Sequence, residues 1–263
     1  MTLFFRLIVL LICACSTQLA GQSDVFANDY QNQITLTIGL NQGYFRDRNF
    51  SPLRYRTSGL RLGLGYQRRT KAGHLVGVDL NAGILRLNTD AASYLKSSRY
   101  VLDFSLSYLR KVGYTDAGRA HHFGAKYRTY ADLSLYNEAD AVTFFAFHGL
   151  EAAATTSWRT GDRHRFRAAA SLPVFGQLVR PPHTGWDKFI VENSHNIPKI
   201  LTRGDWVFLN AFSGLHLDLG WGYQLSDHWT LETHYRMQYY RTNRLAPVRS
   251  LNNQYLISLI RQY

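Results

Sequence analysis

The chain has 263 residues, a formal net charge of +12 and a slightly polar mean hydropathy of −0.24. Its two cysteines, Cys13 and Cys15, lie at the start, so a chain that loses this segment has no disulfide, zinc–thiolate site or cysteine nucleophile. No stretch after residue 21 approaches the ~20 consecutive apolar residues of a spanning helix. Aromatic residues nevertheless make up 14 % of the chain, which suits a sheet with one face in lipid and the other around a lumen.

The first predicted element is a secretory signal peptide over residues 1–21. Arg6 precedes an apolar run that ends at Cys15, and small and polar residues follow. This is the layout of such a peptide, and the run is too short to span a bilayer stably. The alternatives are a buried strand, a membrane anchor and lipoprotein-type processing at Cys15, but cleavage near Ala20 fits better. Residues 22–33 then form a short periplasmic N-terminal segment.

Residues 34–263 divide into about ten segments of eight or more roughly alternating residues. The second segment, for example, puts Leu60, Leu62 and Leu64 on one face and Arg61 on the other. A soluble secreted β-sandwich also alternates, but its strands average about 5–6 residues, whereas about 9–11 tilted residues cross a bilayer. The pattern therefore predicts an all-β fold, a transmembrane antiparallel up-and-down β-barrel of about 10 strands, with 8–12 possible.

The connections alternate between short turns and longer loops, which places the N- and C-termini at the periplasmic end. The predicted periplasmic turns are residues 68–73, 112–120, 159–164 and 226–228. The predicted outer loops are residues 46–56, 88–98, 137–141, 181–205 and 243–251. The longest loop is a place where a hidden hairpin, with strands at residues 188–191 and 199–202, would raise the strand count by two.

Aromatic residues of the outward face fall near both ends of the predicted strands, as in the two girdles of a membrane barrel. Those assigned to the outer ends are Tyr44, Tyr100, Phe144, Tyr239 and Tyr255. Those assigned to the periplasmic ends are Tyr66, Tyr108, Phe123, Trp158, Phe166, Tyr223, Trp229 and Tyr263.

The last twelve residues, 252–263, alternate and end on an aromatic residue, Tyr263. Tyr255, Ile257 and Leu259 share its face, which Arg261 interrupts. This segment resembles the C-terminal strand of bacterial outer-membrane β-barrel proteins. The resemblance implies that the chain is exported and then resides in the bacterial outer membrane, where its last strand closes the barrel.

The inward face collects six acids and, with Arg165 near a turn included, six arginine and lysine residues, which favours ion pairs across the lumen over a selectivity ring of one sign. The predicted lumen charge network is Arg61, Asp79, Asp103, Lys126, Arg128, Asp132, Glu151, Arg167, His216, Asp218, Glu232, His234 and Arg236. Ten strands lie near the size at which side chains fill a barrel. The pattern predicts a structural, partner-binding or narrow-channel role rather than an enzyme.

The densest ionisable group in this network lies on two successive strands, with His216 and Asp218 on one and Glu232, His234 and Arg236 on the next. A metal site or an acid–base pair is the functional interpretation. Neither HExxH spacing nor another metal signature is present, so a lumenal ion-pair network is the preferred interpretation, and no metal or cofactor is expected.

The alternative is an outer-membrane barrel hydrolase, a protease or lipid hydrolase, with its site at the outer rim around residues 181–205. The candidate residues are His183, Asp187, His195 and Asp205. Omptin-like proteases are ten-stranded barrels with acidic and histidine residues at this rim, but no omptin motif maps onto the loop. The His-x-Ser pair of outer-membrane phospholipases is also absent from the sequence. A lid or partner-binding loop is the remaining interpretation.

The predicted outer end is also basic, because its arginine and lysine residues outnumber its acids. The bases are Arg46, Arg48, Arg54, Arg56, Lys96, Arg99, Arg180, Lys188, Lys199, Arg203, Arg241, Arg244 and Arg249, and the acids are Asp47, Asp90, Glu138, Asp140, Asp187, Glu192 and Asp205. Phosphate-bearing outer-membrane lipid, including lipopolysaccharide, is a natural counter-charge because arginine forms paired hydrogen bonds to phosphate. Another envelope protein is a further candidate partner, and a simply solvated rim is the alternative. Nucleic acid is not expected as a partner of an exported chain.

Overall fold

The computed structural model describes residues 31–91, 97–115, 119–136, 141–181, 188–193, 195–244 and 246–263. The predicted signal peptide lies outside these residues, so it remains a prediction. Almost all of the described chain is β-strand, because alternating apolar and polar residues run through it with few prolines.

Ten long strands and one short strand make up the sheet. The long strands are β1 (Asn32–Asp47), β2 (Tyr55–Arg69), β3 (Leu75–Asn88), β4 (Ser97–Thr115), β5 (Arg119–Tyr136), β6 (Ala141–Thr160), β7 (His164–Val179), β9 (Phe212–Gln224), β10 (Trp229–Thr242) and β11 (Val248–Gln262). The short strand is β8 (Asp205–Phe208), and α1 (Lys188–Glu192) and α2 (Ile197–Leu201) precede it. Neither helix in the described part of the chain is long and apolar enough to cross a membrane.

The ten long strands close into an antiparallel barrel. Each pairs with its neighbours in sequence, β7 pairs with β9, and β1 pairs with β11 from Gln33 opposite Gln262 to Asp47 opposite Val248. No long edge is left open, as hydrocarbon requires. The predicted ten-stranded transmembrane barrel is therefore confirmed, with β8 as an addition.

The two ends of the barrel differ in their connections. The chain enters and leaves at one end, where short turns join β2 to β3, β6 to β7 and β9 to β10; we call it the turn end. The other, which we call the loop end, carries the longer connections, including residues 180–204 between β7 and β8. The hairpin considered for this stretch is wrong, because residues 188–192 and 197–201 form α1 and α2.

The wall is interrupted once, between β7 and β9. The turn-end part of β7 pairs with β9 up to Ser171 opposite His216, whereas Phe175 to Leu178 pair with β8 instead. Pro173 lies between the two pairings and has no N–H to donate. β8 and β9 thus both lie beside β7 in the barrel wall, one nearer the loop end and the other nearer the turn end. Residues 209–211 connect them.

The outward face is apolar, as the sequence alternation predicts. Leu60, Leu62 and Leu64 are 52–59 % exposed in the isolated chain, whereas Arg61 between them is 2 % exposed. The guanidinium of Arg261, the outward cation of the last strand, lies 5.8 Å from the ring centre of Trp229. A closed antiparallel barrel with an apolar outer band is the architecture of bacterial outer-membrane proteins, and this chain is located there.

The predicted girdles match the structure with one exception. Tyr66 and Tyr108 are exposed at the turn end, and Tyr100 is exposed near the loop end. Tyr255 is not near an end: it lies in the middle of β11, opposite Tyr235. The prediction for Tyr255 is wrong because strand β11 begins seven residues earlier, at Val248.

Candidate functional site

A cluster of inward aromatic side chains fills the loop end of the lumen; we call it the aromatic plug. Its members are Phe45, Tyr55, Tyr130, Tyr136, Phe145, Phe147, Phe212 and Tyr240, none more than 5 % exposed. The ring centres of Phe145 and Tyr240 are 4.8 Å apart, and those of Phe147 and Phe212 are 4.3 Å apart. These stacked pairs join three different strands, β6, β9 and β10, and the other members of the plug come from β1, β2 and β5, so the plug spans the lumen from wall to wall.

A buried ion pair lies among the aromatic residues of the plug. Arg99 Nε donates to both carboxylate oxygens of Asp132 at 2.9 Å, and their side chains are 0 % and 1 % exposed. Arg99 Nη2 also donates to the hydroxyls of Tyr130 and Tyr240, each at 3.2 Å. The Arg99 guanidinium lies 4.5 Å from the ring centre of Phe45. The ion pair and the plug therefore form one packed unit, in which the Arg99 guanidinium has both a counter-charge and hydroxyl acceptors.

A second buried ion pair lies one layer closer to the turn end. Arg128 Nε donates to Asp103 Oδ1 at 2.7 Å, and its Nη1 lies 3.5 Å from Glu151 Oε1. Gln238 donates to Asp103 at 3.1 Å, and Ser171 donates to Glu151 at 2.6 Å. Side chains from β4, β5, β6, β7 and β10 thus meet on the barrel axis.

The third layer borders a cavity that opens at the turn end. Asp218 accepts from Arg236 Nε at 2.8 Å and lies 3.4 Å from Arg167 Nη2 and 3.3 Å from His234 Nδ1. The cavity has a volume of about 300 Å³. Polar side chains such as those of Thr35, Asp218 and Gln262 line it. Within the described residues no group of three or more His, Cys, Asp or Glu side chains is arranged to hold a metal ion.

A third buried arginine ties the loops together above the plug. Arg180 forms an ion pair with Asp47 and donates through Nη1 to the backbone oxygens of Arg244, at 2.9 Å, and Ala246. It therefore joins the end of β1 to the segments that follow β7 and β10. A buried arginine that bonds one carboxylate and two backbone oxygens fixes these connections more firmly than a surface pair would.

No protein-family model matches the chain, and no curated protein matches it in sequence. Among solved structures, it is similar to the outer membrane protease OmpT from Escherichia coli, with a TM-score of 0.49 and 8 % identity over 94 % of this chain and 99 % of that one. The transport unit of the autotransporter AIDA-I from Escherichia coli gives a TM-score of 0.45 and 9 % identity over 97 % and 96 %. The translocator domain of the autotransporter NalP from Neisseria meningitidis gives 0.40 and 6 % over 89 % of each chain. Likenesses of this size assign no residue a role.

The structure places the residues of the predicted lumen network on the inward face but does not pair all of them. Arg128, Asp103, Glu151 and the third layer are in mutual contact. Asp79 and Lys126 line the turn-end cavity. Arg61 is buried, yet its guanidinium has no hydrogen-bond partner among the described residues.

The main residue that the sequence interpretation missed is Arg99, which it counted with the basic outer rim. The signal was present, because Tyr100 was assigned to the outward face and its neighbour must then point inward. Asp47 and Arg180 were likewise counted with the outer rim, whereas they form a buried pair. The plug was missed because Phe45 and Phe145 each follow an outward aromatic residue, Tyr44 and Phe144. Aromatic residues therefore stand on both faces of the wall at this level, and the sequence interpretation considered only the outward ones.

The candidate hydrolase residues are not brought together by the structure. His195 and Asp205 are both exposed, and no hydrogen bond joins them. His183 and Asp187 lie outside the described residues.

Proposed function

We propose that this protein is a closed, non-conducting outer-membrane barrel that serves as a rigid membrane-anchored platform, with its loop end as the binding face. The observation that carries this proposal is the plug together with two buried ion pairs, Arg99–Asp132 among its residues and Arg128–Asp103 on its turn side. Arg99, Asp132 and the plug aromatics are all at most 5 % exposed.

Passage of an ion through these layers has a large energetic cost. A permeating ion would have to separate Arg99 from Asp132 or Arg128 from Asp103, leaving buried charges unpaired, which costs several kcal/mol per ion. It would then meet packed aromatic rings rather than water. The narrow-channel role is therefore disfavoured, and the open turn-end cavity is a vestibule that ends at the Arg128 layer.

The loop end is the part of the molecule that is built to present a surface. Arg180 fixes the connections after β7 and β10 against β1, and the packed lumen beneath supports them. A preformed surface of this kind loses little conformational entropy on binding. In contrast, the described residues offer no observation that favours the hydrolase, so we do not propose it.

Conductance of the purified barrel in a planar bilayer tests this proposal. With the same salt solution on both sides of the bilayer, we expect no steady conductance steps at positive or negative voltage. Insertion is checked in the same sample by heat-modifiable gel mobility, which distinguishes folded barrel from aggregate. Steady single-channel openings from folded, inserted barrel would contradict the proposal.

A further inference from the structure

Three arginines stand side by side across three neighbouring strands at the loop end. Arg249 of β11 is directly opposite Arg46 of β1 on one side and directly opposite Arg241 of β10 on the other. We call these three residues the arginine row. Neighbouring strands lie about 4.8 Å apart, so the row spans about 10 Å of the barrel wall.

The arginine row belongs to the outward face. Tyr44 and Tyr239 lie two residues before Arg46 and Arg241, and Leu251 lies two residues after Arg249, opposite both tyrosines. Side chains two residues apart share a face. Because Tyr44 and Tyr239 belong to the outer girdle, the row lies one step beyond the apolar band, at the level of lipid head groups.

No carboxylate among the described residues neutralises the row. Asp47 follows Arg46 directly but points inward and pairs with Arg180. The one side-chain partner is Asn243, which accepts from Arg241 at 3.4 Å. Arg46 Nε is buried and has no hydrogen-bond partner in the described part of the chain.

Like charges directly opposite on adjacent strands destabilise a sheet, and here two such contacts share one residue. A ligand that accepts several hydrogen bonds and carries at least two negative charges removes that repulsion. Phosphate has this chemistry, since guanidinium groups bind its oxygens in pairs. The position at head-group level selects a phosphate attached to a lipid rather than one free in solution.

We propose that the arginine row is a binding site for the phosphate groups of a phosphorylated glycolipid of the outer leaflet, such as the lipid A part of lipopolysaccharide. This assignment goes beyond the closed barrel proposed above, because it gives the loop end a specific partner. The tyrosines below the row contact the acyl chains, while the arginines hold the phosphates. The arginine row lies on the outward face and depends on neither the plug nor an open or closed lumen. A negative result in the lipid-binding experiment therefore leaves the conductance prediction standing, and the reverse also holds.

Binding of diphosphorylated lipid A to the delipidated barrel in detergent, counted by native mass spectrometry, tests the proposal. Wild type is expected to retain one lipid. The triple variant Arg46→Gln/Arg241→Gln/Arg249→Gln is expected to bind at least about tenfold more weakly, because it removes the charged hydrogen bonds to the phosphates. Enzymatically dephosphorylated lipid is expected to bind wild type as weakly as the intact lipid binds the triple variant.

The matched control is Arg68→Gln/Arg86→Gln/Arg110→Gln, which removes the same charge from outward positions with no arginine opposite them. This control is expected to bind like wild type. Inorganic pyrophosphate is expected not to displace the lipid at equimolar concentration; efficient displacement would mean that the row is a site for free phosphate and would overturn the lipid assignment.

Stability without lipid provides a second measurement that does not depend on binding. Because the row is repulsive when empty, the triple variant is expected to unfold in lipid-free detergent at the same or a higher denaturant concentration than wild type. Added lipid A is expected to stabilise wild type and the matched control but not the triple variant. Equal lipid binding by wild type, triple variant and control would overturn the proposal, as would a failure of wild type to bind.

Discussion

Replacing Asp132 with alanine is expected to lower the free energy of unfolding by about 3–5 kcal/mol, since it leaves a buried guanidinium without its counter-charge. Arg99 is 0 % exposed on its side chain, and Asp132 is its only carboxylate partner among the described residues. The same substitution removes an acceptor of the Tyr240 hydroxyl. Urea unfolding in detergent micelles, followed by gel mobility, measures the change.

The matched control is Asp90→Ala, which breaks the Arg56–Asp90 pair, whose side chains are 76 % and 83 % exposed. A surface pair of this kind contributes up to about 1 kcal/mol, so this variant is expected to remain close to wild type. If Asp132→Ala and Asp90→Ala have the same small effect, Arg99 is hydrated and the plug is not the packed unit described above.

Placing an arginine at Leu62 is expected to destabilise the barrel by about 2–4 kcal/mol in a lipid bilayer. Leu62 is outward, lies in the middle of β2 and is 59 % exposed in the isolated chain, so lipid is its environment. Leu231→Arg is the control, because Leu231 is also outward but is the third residue of β10, at the turn end, where the cost falls to about 0–1 kcal/mol. Its opposite residues are Tyr223 and Leu259, so the new arginine faces no other cation across the strands. Equal costs at the two depths would contradict the lipid-facing assignment.

The plug and the turn-end cavity give the barrel two unequal halves. Towards the loop end the lumen is packed like a protein core; towards the turn end it is polar and open. The packed half supports the surface on which the arginine row and the Arg180 contacts lie. Rigidity is thus concentrated at the end that we propose to bind partners.

The barrel itself was predictable from sequence because its strands obey one local rule. Alternation assigns each side chain to a face, and in lipid one face must be apolar, so Leu60, Leu62 and Leu64 were placed correctly. The closing strand at the end of the chain was predictable for the same reason. Apolar and polar residues alternate along β11, which pairs with β1 over its whole length.

The contacts of the lumen were less predictable, because they depend on distance across the barrel rather than along a strand. Arg99 lies 141 residues from Tyr240 in sequence, yet they are hydrogen-bonded. Strand register and barrel width bring them together, and neither quantity is a property of a local segment. The hairpin considered as an alternative within residues 181–205 does not form, because residues 188–192 and 197–201 are short helices, and a five-residue pattern does not distinguish a strand from a helix.

Accessibility of single cysteines tests the closed lumen most directly, since Cys13 and Cys15 are the only cysteines in the chain and lie in the predicted signal peptide. Thr35→Cys places a thiol in the turn-end cavity, and Leu36→Cys places one in lipid beside it. In liposomes that carry barrels of one orientation, a small charged thiol reagent is expected to label Thr35→Cys from the turn side alone and Leu36→Cys from neither side. Labelling of Thr35→Cys from the loop side would show that the lumen is open and would contradict the account.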